Sequence, residues 1–307
     1  MRILITIPHF YKYNPKGMYG SGSEARESRV KVLRDMICAL RNMFNMPHAY
    51  CHQELDRDDA DTVPHIVYEP ADSESIYDID ICLCTTDHDH LVDELDLPDG
   101  YFRWMVFSVN NPLFLGYACH QVLKENRGKY DYYCYMEDDL IIQDMDFFRK
   151  LRWFEQTFGS GCLLQPSRYM THCQPFYKEY IDPEMKRYIN HWIDYEDEAE
   201  NVLETEYLGE QLRFIRTRNP HAGCFFLSAV QYEKMCQRED YGKPEYRFCG
   251  PLECSASLDI MRTFAIYRVD YQRGNFFEIE HIGKKPPRIP DTRFNREAFS
   301  ALGYTIT

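Results

Sequence analysis

Tyr130-Asp131-Tyr132-Tyr133-Cys134-Tyr135-Met136-Glu137-Asp138-Asp139 is the stretch on which the reading of this chain turns. From Tyr132 to Met136 it is aromatic and apolar without a break, the pattern of a strand buried on both faces. It runs straight into three carboxylates, and Leu140-Ile141-Ile142 resumes the apolar run at once. Strands covered on both faces belong to parallel sheets between helices, and ligands gather at the carboxyl ends of such strands. Three acids can simply close a strand in a solvated turn, but at that position they are also placed to work on a cation or a polar ligand. In an extended strand Glu137 and Asp139 share one face, with Cα atoms about 6–7 Å apart, and Asp138 faces the other way. A small cation with oxygen ligands at about 2.1 Å is not easily chelated directly by both. If a cation is held here, the expected arrangement is one carboxylate on the metal and another on a metal-bound water or a ligand hydroxyl such as that of a sugar.

Outward from the triplet, strands and helices alternate. Ile3 to Ile7 is a β-branched and aliphatic run that opens the fold as a buried strand. Ser21 and Glu24 have capping-box spacing, and Val30, Leu33, Ile37, Leu40 and Phe44 then recur at helical intervals. Residues 79–85 and 103–109 read as two more strands. Asn111 suits an N-cap, Pro112 the first helical position and Gly128 the stop. Residues 147–158 form a helix closed by Gly159, and Cys162 begins another strand. This alternation predicts an α/β architecture with a mixed, mostly parallel sheet and flanking helices. The later half is less regular. A long polar helix is expected over 183–203, a strand over 222–227, a helix from near Glu253 and a strand over 265–269. The expected organisation is an α/β half over 1–155, a second half of the same compact unit over 156–283, and a basic, proline-containing tail over 284–307.

The chain has 307 residues, 44% hydrophobic and 15% aromatic, enough for a sizeable core. Against 35 basic side chains stand 49 acidic ones, a formal net charge of -14. That field repels nucleic acid, which is not an expected partner. It repels a free nucleotide too, so a nucleotide-using protein of this composition needs a cation, focused Lys or Arg groups, or both. Cys82, Cys84, Cys134, Cys162 and Cys224 lie in apolar or aromatic runs and no Cys-x-x-Cys pair occurs, which favours buried free thiols over a disulfide scaffold. The opening residues are too short for a signal sequence, and no run reaches the ~20 apolar residues of a membrane span. The cytoplasm is the default location, with peripheral membrane contact left open and the oligomeric state undetermined. Neither a phosphate-binding Gly-x-x-x-x-Gly-Lys loop nor a Gly-x-Gly-x-x-Gly turn is present, which counts against P-loop and dinucleotide enzymes.

The run from Asn111-Pro112-Leu113 to Glu137-Asp138-Asp139 resembles the central part of GT-A glycosyltransferases, in which a helix precedes a strand ending in an Asp-x-Asp-type motif. The Glu-Asp-Asp variant is similar to that of some N-acetylglucosaminyltransferases. The resemblance implies a transferase of hexosyl or N-acetylhexosaminyl type, using a divalent metal (Mn²⁺ or Mg²⁺) and a nucleotide-diphosphate sugar, UDP favoured over GDP. It makes Asp139 the direct metal ligand and sets Glu137 and Asp138 nearer the nucleotide, ribose or donor sugar. Ile5-Thr6-Ile7-Pro8-His9-Phe10 resembles the family's first strand, which brings Pro8 to the nucleotide pocket, and Asp87 is placed like a base- or ribose-binding acid. Asp87-His88-Asp89-His90 has metal-like composition, but adjacent residues do not converge easily on one ion, so it reads as a polar loop.

Later segments extend the likeness. Gly223-Cys224-Phe225-Phe226-Leu227-Ser228 resembles the small-residue strand near the acceptor. Gly250 to Asp259 resembles the segment that carries the general base in inverting members, which makes Glu253 the catalytic candidate, although the usual Glu-Asp pair is missing. His281 resembles the C-terminal histidine that completes the metal site, with Lys284 and Lys285 close to the diphosphate. Each has a plain alternative: a helix acid serving only the dipole, or a surface histidine beside a solvated tail. Arg213, Arg216 and Arg218 form a basic run able to recognise phosphate, although helix-surface charge is the commoner explanation. Residues 11–22 and 241–250 carry glycines and aromatics suited to substrate lids. The expected partners are the nucleotide-sugar donor and a carbohydrate or glycolipid acceptor. Two rivals stand beside this reading: a sugar-phosphate nucleotidyltransferase and a non-catalytic glycan-binding or scaffold protein.

Overall fold

The computed structural model describes residues 1–15, 25–46, 49–54, 65–70, 77–173, 176–182, 200–217, 219–248 and 250–283. Strand β1 (Arg2–His9) leads into helix α1 (Arg26–Phe44), followed by a separate hairpin of β2 (Ala49–Glu54) and β3 (His65–Pro70). Then come β4 (Asp78–Thr85), β5 (Arg103–Val106), α2 (Leu115–Glu125), β6 (Tyr132–Met136), the short β7 (Leu140–Ile141) and α3 (Phe147–Phe158). The central sheet has the order β13-β6-β1-β4-β5, where β13 is Cys224–Ser228. Its pairs are parallel except β13 with β6, so the fold is α/β with a mixed, mostly parallel sheet.

The alternation of β1 shows how the two faces are filled. Ile3, Ile5 and Ile7 point to the side that packs Leu33, Met36, Ile37 and Leu40 of α1 with Phe147, Phe148 and Phe154 of α3. Leu4 points to the opposite side, with Cys119, Val122 and Leu123 of α2 and Tyr133 and Tyr135 of β6. Each fully buried aliphatic side chain is stabilising by about 1.5–3 kcal/mol. Aromatics take much of the remaining space, as in the stack of Tyr133 on Tyr232 with ring centroids 4.0 Å apart. All cysteines described with their side chains are free thiols, most of them buried.

The second half adds two small mixed sheets, each with one parallel pair. One has the order β10-β9-β15-β7, from β9 (Ser167–Cys173), β10 (Phe176–Tyr180) and β15 (Glu278–His281), with β15 parallel to β9. The other has the order β11-β12-β14-β8, from β8 (Cys162–Leu164), β11 (Val202–Tyr207), β12 (Glu210–Arg216) and β14 (Ala265–Val269), with β14 parallel to β8. Helix α4 (Ala229–Cys236) follows β13 behind a Ser228–Gln231 capping box. Among the described residues, no helix is long and apolar enough to cross a membrane.

Several sequence expectations change here. Helix α1 starts after Ala25, without a side-chain cap, and Ser21 and Glu24 lie outside the described residues. Arg213 and Arg216 sit on a strand, not a helix: the period-2 burial of Leu212 and Phe214 wins over charge density. Arg218 lies outside the described residues, as does 183–199 of the helix expected over 183–203, while Val202 and Leu203 belong to β11. Lys284, Lys285 and the tail over 284–307 also lie outside them.

Candidate active site

Beyond Met136 the chain leaves the strand, and the triplet occupies a turn between β6 and β7. The alternation expected of an extended strand therefore gives way to three diverging carboxylates.

Asp138 points inward, where Arg29 Nη2 donates to Oδ1 at 2.7 Å and His9 Nδ1 lies 2.5 Å from Oδ2. The other imidazole nitrogen, Nε2, accepts from the backbone N–H of Leu91 at 3.1 Å. That donor fixes the tautomer, so Nδ1–H donates to Asp138. Burial alone would raise the Asp138 pKa, but Arg29 and His9 outweigh it and bring it down to about 2. Arg29 is itself 1% exposed and occupies the core stripe of α1 with Leu33, Met36 and Leu40. One buried ion pair thus ties α1, β1 and the turn together.

Glu137 points the other way. Its backbone N–H donates to Gly223 O at 2.9 Å, and its carboxylate lies 3.5 Å from Arg168 Nη1. Gly223 has φ +62, and a Cβ there would come within 2.2 Å of Glu137 Oε2. Glycine is required at this position both for the backbone and for the room it leaves the carboxylate. Arg168, on β9, donates to Asp182 Oδ1 from Nη2 at 2.6 Å, and Arg268 Nη2 on β14 is 3.5 Å from Asp182 Oδ2. Arg268 also donates to His221 O at 2.6 Å, and His221 Nδ1 is 3.1 Å from Ser257 Oγ. Burial pushes Glu137 up to about 8 against the pull of Arg168, with the charges of Asp139, Asp138 and Glu253 adding to the rise.

Asp139 is the least committed of the three. Its Oδ2 lies 3.7 Å from His281 Nε2 and 3.7 Å from Arg29 Nη1. Oδ1 of Asp139 and Nδ1 of His281 are both buried without a hydrogen-bond partner. Strand pairing brings them together: β15 sets His281 opposite Leu140, and Ile282 N donates to Asp139 O at 2.8 Å. Two such atoms 3.7 Å apart are within reach of one ion with bonds of about 2.1 Å. Among the described residues, no three His, Cys, Asp or Glu side chains converge tightly enough to cage a metal.

Glu253 sits at the start of a helical stretch over 251–261 whose middle, Cys254–Leu258, is a π-helical turn. Its Oε2 is buried and has no hydrogen-bond partner. The π-turn meets α2 at Gly116, where a Cβ would lie 2.2 Å from Ser255 Oγ. It is held by His120 Nε2, which donates to Ser255 O at 2.8 Å. π-Turns of this kind are frequent at functional sites. Asp259 is turned away, accepting from Gly242 N at 3.0 Å.

Pro8 stands at the carboxyl end of β1, paired with Cys84, next to His9. Asp87 is exposed; its carboxylate is 3.0 Å from His88 Nε2 and makes no hydrogen bond or ion pair with the triplet. The rest of that loop is spent locally: Asp89 pairs with Lys12 at 3.3 Å, and His90 packs edge-on to Trp104. Sequence reasoning missed Arg29, His9, Arg168, Asp182 and His221. Only Arg29 left a legible signal, an arginine at a core position of an otherwise apolar helical stripe.

No family model and no curated protein matches the chain. Among solved structures, it is similar to a mannose-1-phosphate geranyltransferase from Thermus thermophilus, at 9% identity and TM-score 0.37 over 87% of this chain and 73% of that one. It is also similar to a 4-diphosphocytidyl-2C-methyl-D-erythritol synthase, at 9% identity and TM-score 0.32 over 98% of each chain. Mouse xyloside xylosyltransferase 1 in its apo form aligns at 11% identity and TM-score 0.37, over 94% of this chain and 99% of that one. Scores this low leave the functional reading to the geometry of the chain itself.

Proposed function

We propose that this protein is a metal-dependent glycosyltransferase of GT-A type, moving a sugar from a nucleotide-diphosphate donor to a hydroxyl acceptor. The observation that carries the reading is the pairing of Asp139 with His281 at the carboxyl end of β6, each with a buried polar atom left unpartnered. Asp139 and His281 would hold a divalent cation, Mn²⁺ or Mg²⁺, with the donor diphosphate and water completing its shell. When bound, that ion supplies positive charge for the departing nucleoside diphosphate.

The remaining roles fall to the chain's own groups. Asp138 is held by Arg29 and His9 and fixes the turn, so that Asp139 presents its free oxygen at a constant position. Glu137 lies toward the donor sugar, backed by Arg168. Glu253, presented by the π-turn, takes the proton of the acceptor hydroxyl in an inverting transfer, a role typically contributing about 10²–10⁴ in rate. Pro8 lines the nucleotide side beside His9, and Asp87 and Lys284 are assigned to the donor nucleotide and its diphosphate.

Calorimetric titration with UDP and GDP, with and without Mn²⁺, tests this. Mn²⁺-linked binding, UDP tighter than GDP, followed by turnover of a UDP-sugar panel, is the expected result. Pyrophosphate release from a nucleoside triphosphate would instead establish a nucleotidyltransferase. Metal-independent or absent nucleotide binding would leave a non-catalytic protein.

A further inference from the structure

A groove of about 630 Å³ runs along the outer side of α2, apart from the acidic turn. Its volume lies in the range of small-molecule sites, roughly 300–1,000 Å³. One side is the segment that follows β5, with Phe107 and Asn110; the floor is a stripe of α2 and its entry turn, Phe114, Tyr117, Ala118 and Gln121. The far wall is Gly242 and Pro244, from the segment whose glycines and aromatics suited it to a substrate lid.

The wall is in place before any ligand arrives. Gly242 N donates to the buried Asp259, and Glu245 N donates to Tyr117 Oη at 3.0 Å. Gly242 has φ +67, a conformation that favours glycine, and the wall passes close enough to α2 that a Cβ there would lie 2.7 Å from Lys124 Nζ. A pre-formed groove spares the ordering cost of binding.

The lining points to one chemical class. Phe107 and Phe114 are half-buried and offer ring surface. Beside them stand the exposed amides of Asn110, Asn111 and Gln121. Asn111 Oδ1 already accepts from Leu113 N at 3.1 Å and Gln121 Nε2 donates to Glu125 at 2.9 Å, which leaves the Asn110 amide, the Asn111 NH2 and the Gln121 carbonyl oxygen to a ligand. Among the described lining residues Lys124 alone is charged, and its ammonium donates to Tyr241 O at 2.6 Å and sits over the Tyr241 ring. An anion would meet that one ammonium, one of whose three donors is already taken, and no arginine or second lysine in the described lining. An alkyl chain would strip water from amides and return no hydrogen bonds. A pyranose, with an apolar C–H face and a rim of hydroxyls, satisfies both surfaces at once. The groove also leads toward the chemistry: the turn Pro112–Phe114, which carries Phe114, packs directly on Pro251–Glu253.

We propose that this groove binds a neutral carbohydrate and seats the acceptor, its reacting end toward Glu253; the word acceptor rests on the transferase reading, the sugar site does not. The test is saturation-transfer NMR and calorimetry on the full chain with lactose, maltotetraose and chitotetraose, with 1-octanol as the apolar competitor. At least one saccharide is expected to bind. Phe114→Ala and the surface change Gln121→Ala should each weaken it by about tenfold, comparable to loss of one strong contact, while leaving Mn²⁺-linked UDP binding unchanged. The proposal is overturned if no saccharide binds, if binding survives both substitutions, or if 1-octanol occupies the groove in place of the sugars. Saccharide binding without nucleotide binding would sink the transferase reading and leave the sugar site standing.

Discussion

On one side of the acidic turn, Asp138 meets Arg29 and His9, groups contributed by α1 and β1. On the other side, Glu137 meets Arg168, Asp182, Arg268 and His221, which come from β9, β14 and the segments around them. The first clamp is closed: both carboxylate oxygens are engaged, and the anion is strongly favoured. The second is open: the Arg168–Glu137 contact is long, and burial holds Glu137 far above the ordinary carboxylate range. Between them Asp139 keeps an oxygen to spare. Neighbouring acids in one turn thus divide between fixing the backbone and keeping an oxygen unengaged, and the number of internal partners tells them apart.

Four measurements would break or sharpen that division. The largest effect is expected for Asp139→Ala, which should abolish Mn²⁺-linked nucleotide binding and turnover while the urea midpoint stays near wild type; wild-type-like turnover would remove Asp139 from the metal site. Next, Glu253→Gln should cost about 10²–10⁴ in transfer rate with donor affinity nearly intact. Unchanged transfer in that variant would mean a retaining reaction or another base. Third, Asp138→Ala should destabilise the fold by about 3–5 kcal/mol, read from urea denaturation, because Arg29 loses its closest buried acceptor. If the variant is as stable as wild type but inactive, the closed clamp is a ligand site after all.

The smallest effect concerns His221, which burial, helped by Arg168, brings down to about 3 from the ordinary 6.5. The folded protein then binds fewer protons than the unfolded chain between those values. Its contribution is complete above pH 6.5 and is lost as pH falls toward about 3. His221→Gln should flatten the acid limb of the stability curve, and an unaltered limb would show that other groups dominate it.

Much of the first half was legible because its signals are local. The aliphatic runs at Ile3 and Ile79 became β1 and β4, and Asn111, by accepting from Leu113 N at 3.1 Å, caps the turn that enters α2. Gly128 and Gly159 adopt the positive φ expected of chain reversals. The triplet, His281 and Glu253 were also visible as residue types in suggestive places. The clamps were not. Arg168 and Asp182 are brought to Glu137 by the β9–β10 pairing and by β15 lying between β9 and β7, and no local pattern announces a partner in another strand. Arg213 and Arg216 misled for the same reason: their strand is defined by pairing with β11 and β14.

The pairing of β15 with β7 has a consequence for how the molecule comes into being. His281 follows nearly all of the described sheet in the chain, yet it sits beside Asp139. During synthesis the strands from β1 to β6 emerge while Asp139 is still without His281. A half-made chain would carry the acidic turn without its histidine. The Asp139–His281 pair, proposed above to hold an ion, would then arrive in a single late event, the docking of one short strand.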